Sequence, residues 1–313
     1  MKRAEVLDAT ESIFRRTGFQ VSERCVARAS CFDFVARREE QLALIKVPIN
    51  IGNVSRKDAL ELQAISRYLS TVPLLICDKT RNKPLEDDTV YMRYNIYTIT
   101  LKTLEDIVFR GMHPLVEAGP GGYYVNLDGS VIREKRQKLG LSVGKLAEMT
   151  SISRRTLYGY EKGMAKASVS TAYNLEWILG IPVVQPIDIF RRGSQSIGLF
   201  ALAKRMIIKN RFLSMVLSKL TRLNCRVAPV GRAPFDFIAQ FPKEQLNIIG
   251  GVADKRDQNI DQRTREIISI SRVIDAPSVF VTDGEQIPNN NIPLIHHDEL
   301  SKLRHPEEFI ALL

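Results

Sequence analysis

Arg154 and Arg155 have the type and position best suited to one chemistry, hydrogen bonding to the edges of DNA bases. They lie in the segment SISRRTLYGYEKG, residues 151–163. Arginine carries a planar fork of N–H donors that can bond O6 and N7 of guanine together. Ser153 precedes the pair and suits the start of a helix, because its hydroxyl can accept a hydrogen bond from an amide of the first turn. Both arginines are therefore predicted to lie in the first turn of a helix, on its outward face.

Lysines and hydroxyl groups around these arginines suit contacts with the DNA backbone. Three lysines are predicted to bind phosphates and fix the register of the complex, and Thr156 and Tyr158 are predicted to contact bases or phosphates. Glu161 is expected to be a structural partner at the helix end and not a DNA contact. The candidate DNA-binding set is Ser153, Arg154, Arg155, Thr156, Tyr158, Lys145, Lys162 and Lys166.

A helix-turn-helix would hold these side chains in place. Ser142 can cap the first helix, and Ala147 is small enough for two helices to cross closely. Ile152 follows the short turn as an apolar plug between the helices. Leu157 and Tyr160 are three residues apart, so both are predicted to face inward. The alternative interpretation is an ordinary helical hairpin with a solvated basic face.

Further helices are predicted on both sides of this motif. Residues 131–139 form a basic helix that stops at Gly140, and residues 168–179 form a packing helix that stops at Gly180. Nine lysines and arginines against three glutamates lie between residues 131 and 168, so six of the ten net positive charges fall in this segment. Such a concentration of charge favours a polyanionic partner.

The stretch LSVGKLAEMTSISRRTLYGYEKG, residues 141–163, resembles the phage repressor and Cro superfamily. The resemblance implies a five-helix, lambda-repressor-like domain that places a recognition helix, residues 153–162, in the major groove. Two positions depart from the pattern. Ser151 stands where the turn usually has glycine, and Val143 stands where glutamine is common. Because single modules of this kind gain affinity by pairing on half-sites, a homodimer on double-stranded DNA is expected.

Composition excludes several other classes of protein. The four cysteines form no C-x-x-C motif, which argues against a zinc site or a disulfide framework. His296 and His297 are a metal pair only by proximity, because neighbouring residues of one strand point to opposite faces. No apolar run approaches the ~18 residues that span a bilayer. The chain is expected to be soluble and cytoplasmic, with no metal or cofactor, and an effector or protein partner is left open.

Two α/β blocks are predicted on either side of the helical segment. A GPGG linker at residues 119–122 and a polar break at residues 191–196 separate them from it. CFDFVARREEQLALIKVPI (31–49) and PFDFIAQFPKEQLNIIGGV (234–252) align with one inserted residue. Each of these two stretches is preceded by a predicted helix and strand, and each is followed by a polar helix and an apolar strand. Chance similarity of short strands is the alternative, but the shared order of elements favours a duplication.

The pattern FDFVA, charged turn, LALIK in the first block resembles the core of the PD-(D/E)xK nuclease fold. In that family an aspartate on one strand and an acid-x-lysine on the next bind a metal ion and position water. Asp33 and Lys46 match this motif, but the second acid falls on Leu44.

In the other block only the aspartate, Asp236, is retained. The second acid falls on Ile248 and the lysine on Gly250. A single carboxylate beside an apolar strand provides too few oxygen ligands for a divalent cation. Both blocks are therefore predicted to be inactive, and no catalytic residue is assigned.

The whole chain is predicted to combine α/β and all-α parts in three domains, 1–118, 119–192 and 193–313. A nuclease-like block followed by a helix-turn-helix resembles an archaeal family of helix-turn-helix transcriptional regulatory proteins. This resemblance implies a sequence-specific regulator that binds duplex DNA and is not an enzyme. Two alternatives stay open, a metal-dependent, structure-selective DNA nuclease that uses the first domain and an antitoxin-like adaptor.

Overall fold

The computed structural model describes residues 2–191, 210–253, 259–284 and 292–313, and the chain forms two compact units. The terminal unit comprises Met1–Leu75 and Phe190–Leu313, and the central unit is Ile76–Ile189. The domain divisions predicted after residues 118 and 192 stay predictions. The compact units are defined by contacts, and one of them joins two separate stretches of the chain, so they do not test these boundaries. Residues 192–209, with most of the predicted break, lie outside the described residues. Within the described part of the chain, no helix combines the length and apolar character needed to cross a membrane.

The described residues contain eleven α-helices and fifteen strands. The helices are α1 (Arg3–Arg16), α2 (Arg56–Tyr68), α3 (Leu101–Arg110), α4 (Gly129–Lys138), α5 (Val143–Met149), α6 (Arg154–Glu161), α7 (Val169–Leu179), α8 (Arg211–Arg222), α9 (Ile260–Ile274), α10 (His297–Lys302) and α11 (Pro306–Ile310). The strands are β1 (Gln20–Val21), β2 (Phe34–Arg38), β3 (Gln41–Lys46), β4 (Val72–Ile76), β5 (Thr89–Arg93), β6 (Ile96–Ile99), β7 (Val116–Gly119), β8 (Gly122–Leu127), β9 (Ala167–Ser168), β10 (Val184–Gln185), β11 (Arg226–Pro229), β12 (Phe237–Phe241), β13 (Leu246–Ala253), β14 (Ser278–Thr282) and β15 (Leu294–His296).

The two parts of the terminal unit share one strand order. In the N-terminal part β1, β2 and β3 are antiparallel neighbours, and β4 runs parallel to β3. In the C-terminal part β11, β12 and β13 are antiparallel neighbours, and β14 runs parallel to β13. Parallel neighbours need a crossover, which α2 supplies in one part and α9 in the other. The mixed α/β character predicted from the sequence is thus present in both parts.

The strand ladders change the predicted alignment of the two parts. Phe34 pairs with Ile45 in the first, and Phe237 pairs with Gly250 in the second. The turn between the paired strands has two residues in the N-terminal part and four in the C-terminal part. Two residues are therefore inserted, and the prediction of one inserted residue was wrong.

This correction shifts the counterparts of Leu44 and Lys46 by one position. They are Ile249 and Gly251 instead of Ile248 and Gly250. A Cβ added at Gly251 would lie 2.3 Å from Cε1 of Phe280, which is fully buried. No lysine fits there, because heavy atoms in contact are normally 3.5–4.0 Å apart.

The GPGG segment that was predicted to be a linker is a hairpin turn, so that prediction was wrong. β7 and β8 are antiparallel, and Gly119 lies opposite Gly122 in their ladder. Pro120 and Gly121 form the turn, and Gly121 has a φ of 85°, which suits glycine at the third position of a type II turn. Proline and glycine mark tight turns as well as linkers, so composition alone does not distinguish them.

The central unit combines a sheet with the predicted helices. Its strands lie in the order β6-β5-β7-β8-β10, with β9 paired to β8. The all-α expectation for residues 119–191 missed three strands, β8 to β10, and the last residue of β7. This described range contains four helices, α4 to α7, so the five-helix arrangement is not confirmed. The core of the helical part is built from β8 and all four helices, and its fully buried side chains include Ile132, Leu146, Leu157 and Leu175.

Candidate nucleic-acid interface

The short helices α5 and α6 carry most of the predicted DNA-binding residues. The Ser142 hydroxyl accepts a hydrogen bond from Lys145 N at 3.0 Å, and the Ser153 hydroxyl accepts one from Thr156 N at 3.0 Å. Both predicted N-caps are therefore present. Oγ of Ser153 also lies 2.8 Å from Oγ1 of Thr156, so these two hydroxyls hold each other at the start of α6.

The turn between the helices places Ser151 in the left-handed region, with a φ of 56°. This is the position where the resemblance leads one to expect glycine, since glycine has no Cβ to oppose that conformation. The next residue restores the path of the chain, because Ile152 N donates to Ala147 O at 3.0 Å. The departure from the family pattern at Ser151 thus leaves the geometry of the turn intact.

The inner faces of the two helices are buried as predicted. Ala147 and Leu157 are at most 1% exposed, and Tyr160 is 6% exposed. Ile152 is half-buried and packs against the same core. These contacts fix the orientation of α6 about its own axis, and so determine which side chains face outward.

Glu161 has the structural role that was predicted. Its two carboxylate oxygens accept hydrogen bonds from Nε and Nη2 of Arg136 at 2.5 and 3.0 Å. Only 9% of the Arg136 side chain and 6% of the Glu161 side chain are exposed. The carboxylate raises the pKa of Arg136, although partial burial opposes this. The pair joins α4 to the end of α6, so one of the basic residues of the segment serves the fold.

The outward face of α6 presents the predicted base-reading residues to solvent. Arg154, Arg155 and Tyr158 are exposed, and Thr156 is half-buried. Nζ of Lys162 lies 5.7 Å from the centre of the Tyr158 ring, within the range of a cation–π contact. Five of the eight candidates, Ser153 to Thr156 and Tyr158, thus lie along one helix, with Lys162 directly after it.

The other two lysines lie outside α6 and have acidic neighbours. Nζ of Lys145, on α5, lies 3.2 Å from a carboxylate oxygen of Glu148. Lys166, in the segment before β9, forms an ion pair with Glu117 on β7. Sequence reasoning missed the second pairing, because β7 was not predicted.

Sequence reasoning also missed Gly144, the second residue of α5. A Cβ added there would lie 2.9 Å from Nε and 3.1 Å from Cζ of Arg154. The guanidinium therefore lies against the backbone of the first helix. No sequence signal marks this contact, because a glycine in a helix is ordinarily read only as a weak helix former.

Asp33, the candidate metal ligand of the nuclease-like motif, is enclosed by hydrogen-bond donors. Its carboxylate accepts from Nη2 of Arg3 at 2.7 Å, from Nζ of Lys46 at 3.1 Å and from Val47 N at 2.7 Å. Leu44, where the motif has its second acid, is fully buried. A divalent cation needs several oxygen ligands. The residues present do not fit one, because two cationic side chains already neutralise the single carboxylate.

Asp236 is enclosed in the same way. Arg28 Nη1 donates to it at 2.7 Å, Val252 N donates at 2.6 Å, and Arg263 forms a further ion pair with it. Burial raises the pKa of Asp236, but the positive charges of Arg263 and Arg28 outweigh that effect and lower it overall. The two arginines therefore favour the charged form of this carboxylate.

His296 and His297 lie together, and the prediction that they point to opposite faces was wrong. His296 ends β15 and His297 begins α10, so the alternation of a strand does not apply to them. Among the described residues, their ring nitrogens and a carboxylate oxygen of Asp298 form a group within 4.8 Å. Asp298 lies 3.1 Å from Nε2 of His297 and donates its backbone N–H to Nδ1 of His296.

The cysteines are unpaired, in keeping with their spacing. Cys25, Cys31, Cys77 and Cys225 are all free thiols. Burial raises the pKa of Cys31 well above its usual value and that of Cys225 to about 12. Thiols with raised pKa values are poor nucleophiles and poor metal ligands.

Two family profiles match the chain. The PD-(D/E)XK superfamily domain matches residues 3–114, and the Helix-turn-helix family matches residues 132–185. The second match contains α5, α6 and the turn between them. No solved structure matches the chain.

Three archaeal relatives named "Putative HTH-type transcriptional regulatory protein" match the chain over most of their length. The protein of Pyrococcus furiosus is 32% identical over 100% of this chain and 98% of its own. The protein of Methanocaldococcus jannaschii is 34% identical over 90% of this chain and 87% of its own. The protein of Archaeoglobus fulgidus is 32% identical over 99% of this chain and 97% of its own. This chain therefore belongs to the archaeal family of HTH-type transcriptional regulatory proteins.

Proposed function

We propose that this chain is a sequence-specific transcriptional regulator that places α6 in the major groove of duplex DNA. One observation carries the proposal. Arg154, Arg155 and Tyr158 are exposed on α6, while Leu157 and Tyr160 hold the same helix in the core. A helix that is anchored on one face and basic on the other can enter the groove without unfolding. The names of the relatives and the helix-turn-helix profile point in the same direction.

The side chains divide into base contacts and backbone contacts. Arg154 and Arg155 are assigned to base edges, and Ser153, Thr156 and Tyr158 to bases or phosphates near the start of the helix. The three lysines are assigned to phosphates. Since Glu148 and Glu117 neighbour two of them, DNA must compete with those carboxylates. We further propose a homodimer that binds two half-sites, because one helix offers few base contacts.

Binding to a randomised duplex library at several salt concentrations tests these assignments. Arg154→Ala is expected to weaken binding to the preferred site by about 1–3 kcal/mol and to relax the preference at one base position. Lys145→Ala is expected to weaken binding to all sequences alike and to reduce the salt dependence by about one phosphate contact.

Arg133→Ala is the matched control, because Arg133 is an exposed arginine on α4 of the same unit. It is expected to leave the preferred sequence unchanged. If Arg154→Ala kept both the identity and the strength of the preferred site, the assignment of α6 to base reading would be overturned.

We also propose that the terminal unit contains two copies of one domain. Both copies have the same strand order, and the aspartate at the start of β2 or β12 donates its N–H to β3 or β13 at 2.7 Å in each. Phe32 and Phe235, the residues just before these aspartates, lie 6.4 Å apart between ring centres. The profile matches at residues 3–114 and 132–185 fall within the first two proposed domains, 1–118 and 119–192.

Metal-dependent nuclease activity is the alternative that the superfamily match brings forward. The enclosure of Asp33 by Arg3 and Lys46 supports a non-catalytic role for this domain. Incubation of the full chain with branched and linear DNA in Mg²⁺ or Mn²⁺ decides between nuclease activity and a non-catalytic role. We expect no cleavage, whereas cleavage that Asp33→Ala abolishes would establish an enzyme.

A further inference from the structure

Gly144 and Arg154 lie against each other across the two helices of the motif. A Cβ added at Gly144 would lie 2.9 Å from Nε, 3.1 Å from Cζ and 3.2 Å from Nη2 of Arg154. Heavy atoms in contact are normally 3.5–4.0 Å apart. The guanidinium therefore fills the space that any side chain at position 144 would need.

The guanidinium of Arg154 is held by packing against Gly144. In the part of the chain that the structure describes, no hydrogen bond or ion pair to the Arg154 side chain is present. Electrostatics does not hold it either, because Gly144 lies in the first turn of α5, where the helix dipole disfavours a cation. The donors of the guanidinium are thus left available to an outside acceptor.

We propose that Gly144 is a positioning residue for base recognition. Because it has no side chain, the guanidinium of Arg154 can lie along the first turn of α5, and this placement fixes the direction in which its donors point. A long side chain that is already restricted loses less freedom when it binds. The inference rests on the proposed function, since it requires that Arg154 reads a base.

Gly144→Ala separates this role from a role in folding. The atoms that the new methyl group meets belong to the far end of a flexible side chain, which can move away. Alanine also favours a helix more than glycine does. The thermal unfolding midpoint is therefore expected to be unchanged or raised, while Arg154 is displaced.

The experiment compares wild type, Gly144→Ala, Arg154→Ala and the double variant on the randomised duplex library. Gly144→Ala is expected to reduce the preference about tenfold at the same base position that Arg154→Ala affects. In the Arg154→Ala background it is expected to have no further effect, because interacting residues are not additive. Arg133→Ala, on the exposed face of α4, is the control and is expected to retain the wild-type preference.

The outcomes distinguish the two proposals. The positioning role is overturned if Gly144→Ala retains the wild-type preference, weakens all sequences alike, or acts equally in the Arg154→Ala background. In each of these cases a specific effect of Arg154→Ala leaves the proposed function standing. If the wild-type protein prefers no sequence and Arg154→Ala changes nothing, both proposals are overturned together.

Discussion

Arg136 and Glu161 form a buried ion pair, so Arg136 is a basic residue of this segment that serves the fold. Removal of one partner of a buried ion pair leaves the other charge uncompensated in the interior. Since the Arg136 and Glu161 side chains are only 9% and 6% exposed, Arg136→Ala is expected to lower the free energy of unfolding by about 3 kcal/mol. Urea unfolding of the full chain, followed by circular dichroism, measures this change.

The double variant Arg136→Met, Glu161→Leu is the control for this prediction. Replacing both charges with apolar side chains of similar size removes the unpaired charge, so most of the lost stability is expected to return. An Arg136→Ala variant as stable as wild type would contradict the structural role of the pair.

The outward and inward residues of α6 could be predicted from the sequence, because helical periodicity separates Arg154 and Tyr158 from Leu157 and Tyr160. Glu161 could be assigned to the fold because it lies at the end of the helix. Its partner Arg136 could not, since four other lysines and arginines lie on or near α4 and α5. The contact of Arg154 with Gly144 also depends on how two helices cross, which no spacing within one helix reveals.

At the level of elements, the crossing of α4 and α6 depends on Gly129. A Cβ added there would lie 2.4 Å from Tyr160 O and 2.5 Å from Glu161 O. These are backbone atoms of a packed helix, so relief requires the two helices to move apart. Gly129→Ala is therefore expected to lower the free energy of unfolding by about 2 kcal/mol.

Gly159→Ala serves as the matched control, because the same chemical change meets only an ordinary contact there. Its free energy of unfolding is expected to stay the same or to rise by up to about 1 kcal/mol. Equal effects of the two substitutions in urea unfolding would show that the close approach at Gly129 does not limit packing.

Helices were predicted better than strands in the central unit, and the reason is chemical. Ser142, Ser153 and Ser168 cap α5, α6 and α7, and the residue types of caps can be read locally. β9 and β10 have only two residues each, too few to show the alternation that marks a strand. The GPGG turn was taken for a linker because the two strands that it joins, β7 and β8, were not recognised in the sequence.

At the level of the whole molecule, the two ends of the chain build one unit. The sequence revealed the similarity of the two parts through FDFVA and FDFIA, but not that they pack together. Their contacts include hydrogen bonds from backbone amides, which every residue except proline possesses. The donor side of these contacts therefore carries no signal of residue type, and only the structure reveals which amides are bound.

Glu61 and Glu266 join the two parts reciprocally. Glu61, on α2, accepts hydrogen bonds from Gly231 N and Arg232 N at 2.5 and 2.6 Å. Glu266, on α9, accepts hydrogen bonds from the amides of residues 26 and 27 at 2.9 and 2.8 Å. Each glutamate thus binds two consecutive amides of the other part of the unit, the pattern of an interface with two-fold symmetry.

Glu61→Ala and Glu266→Ala are each expected to lower the free energy of unfolding by about 2 kcal/mol, because each leaves two backbone donors without an acceptor. Glu61→Gln retains one acceptor oxygen and is expected to cost less than half as much. Glu40→Ala, at an exposed turn of the same unit, is the control and is expected to change stability by less than about 0.5 kcal/mol. Urea unfolding of the full chain compares them. A large loss for one glutamate and none for the other would contradict the reciprocal interface, since both contacts are expected to contribute.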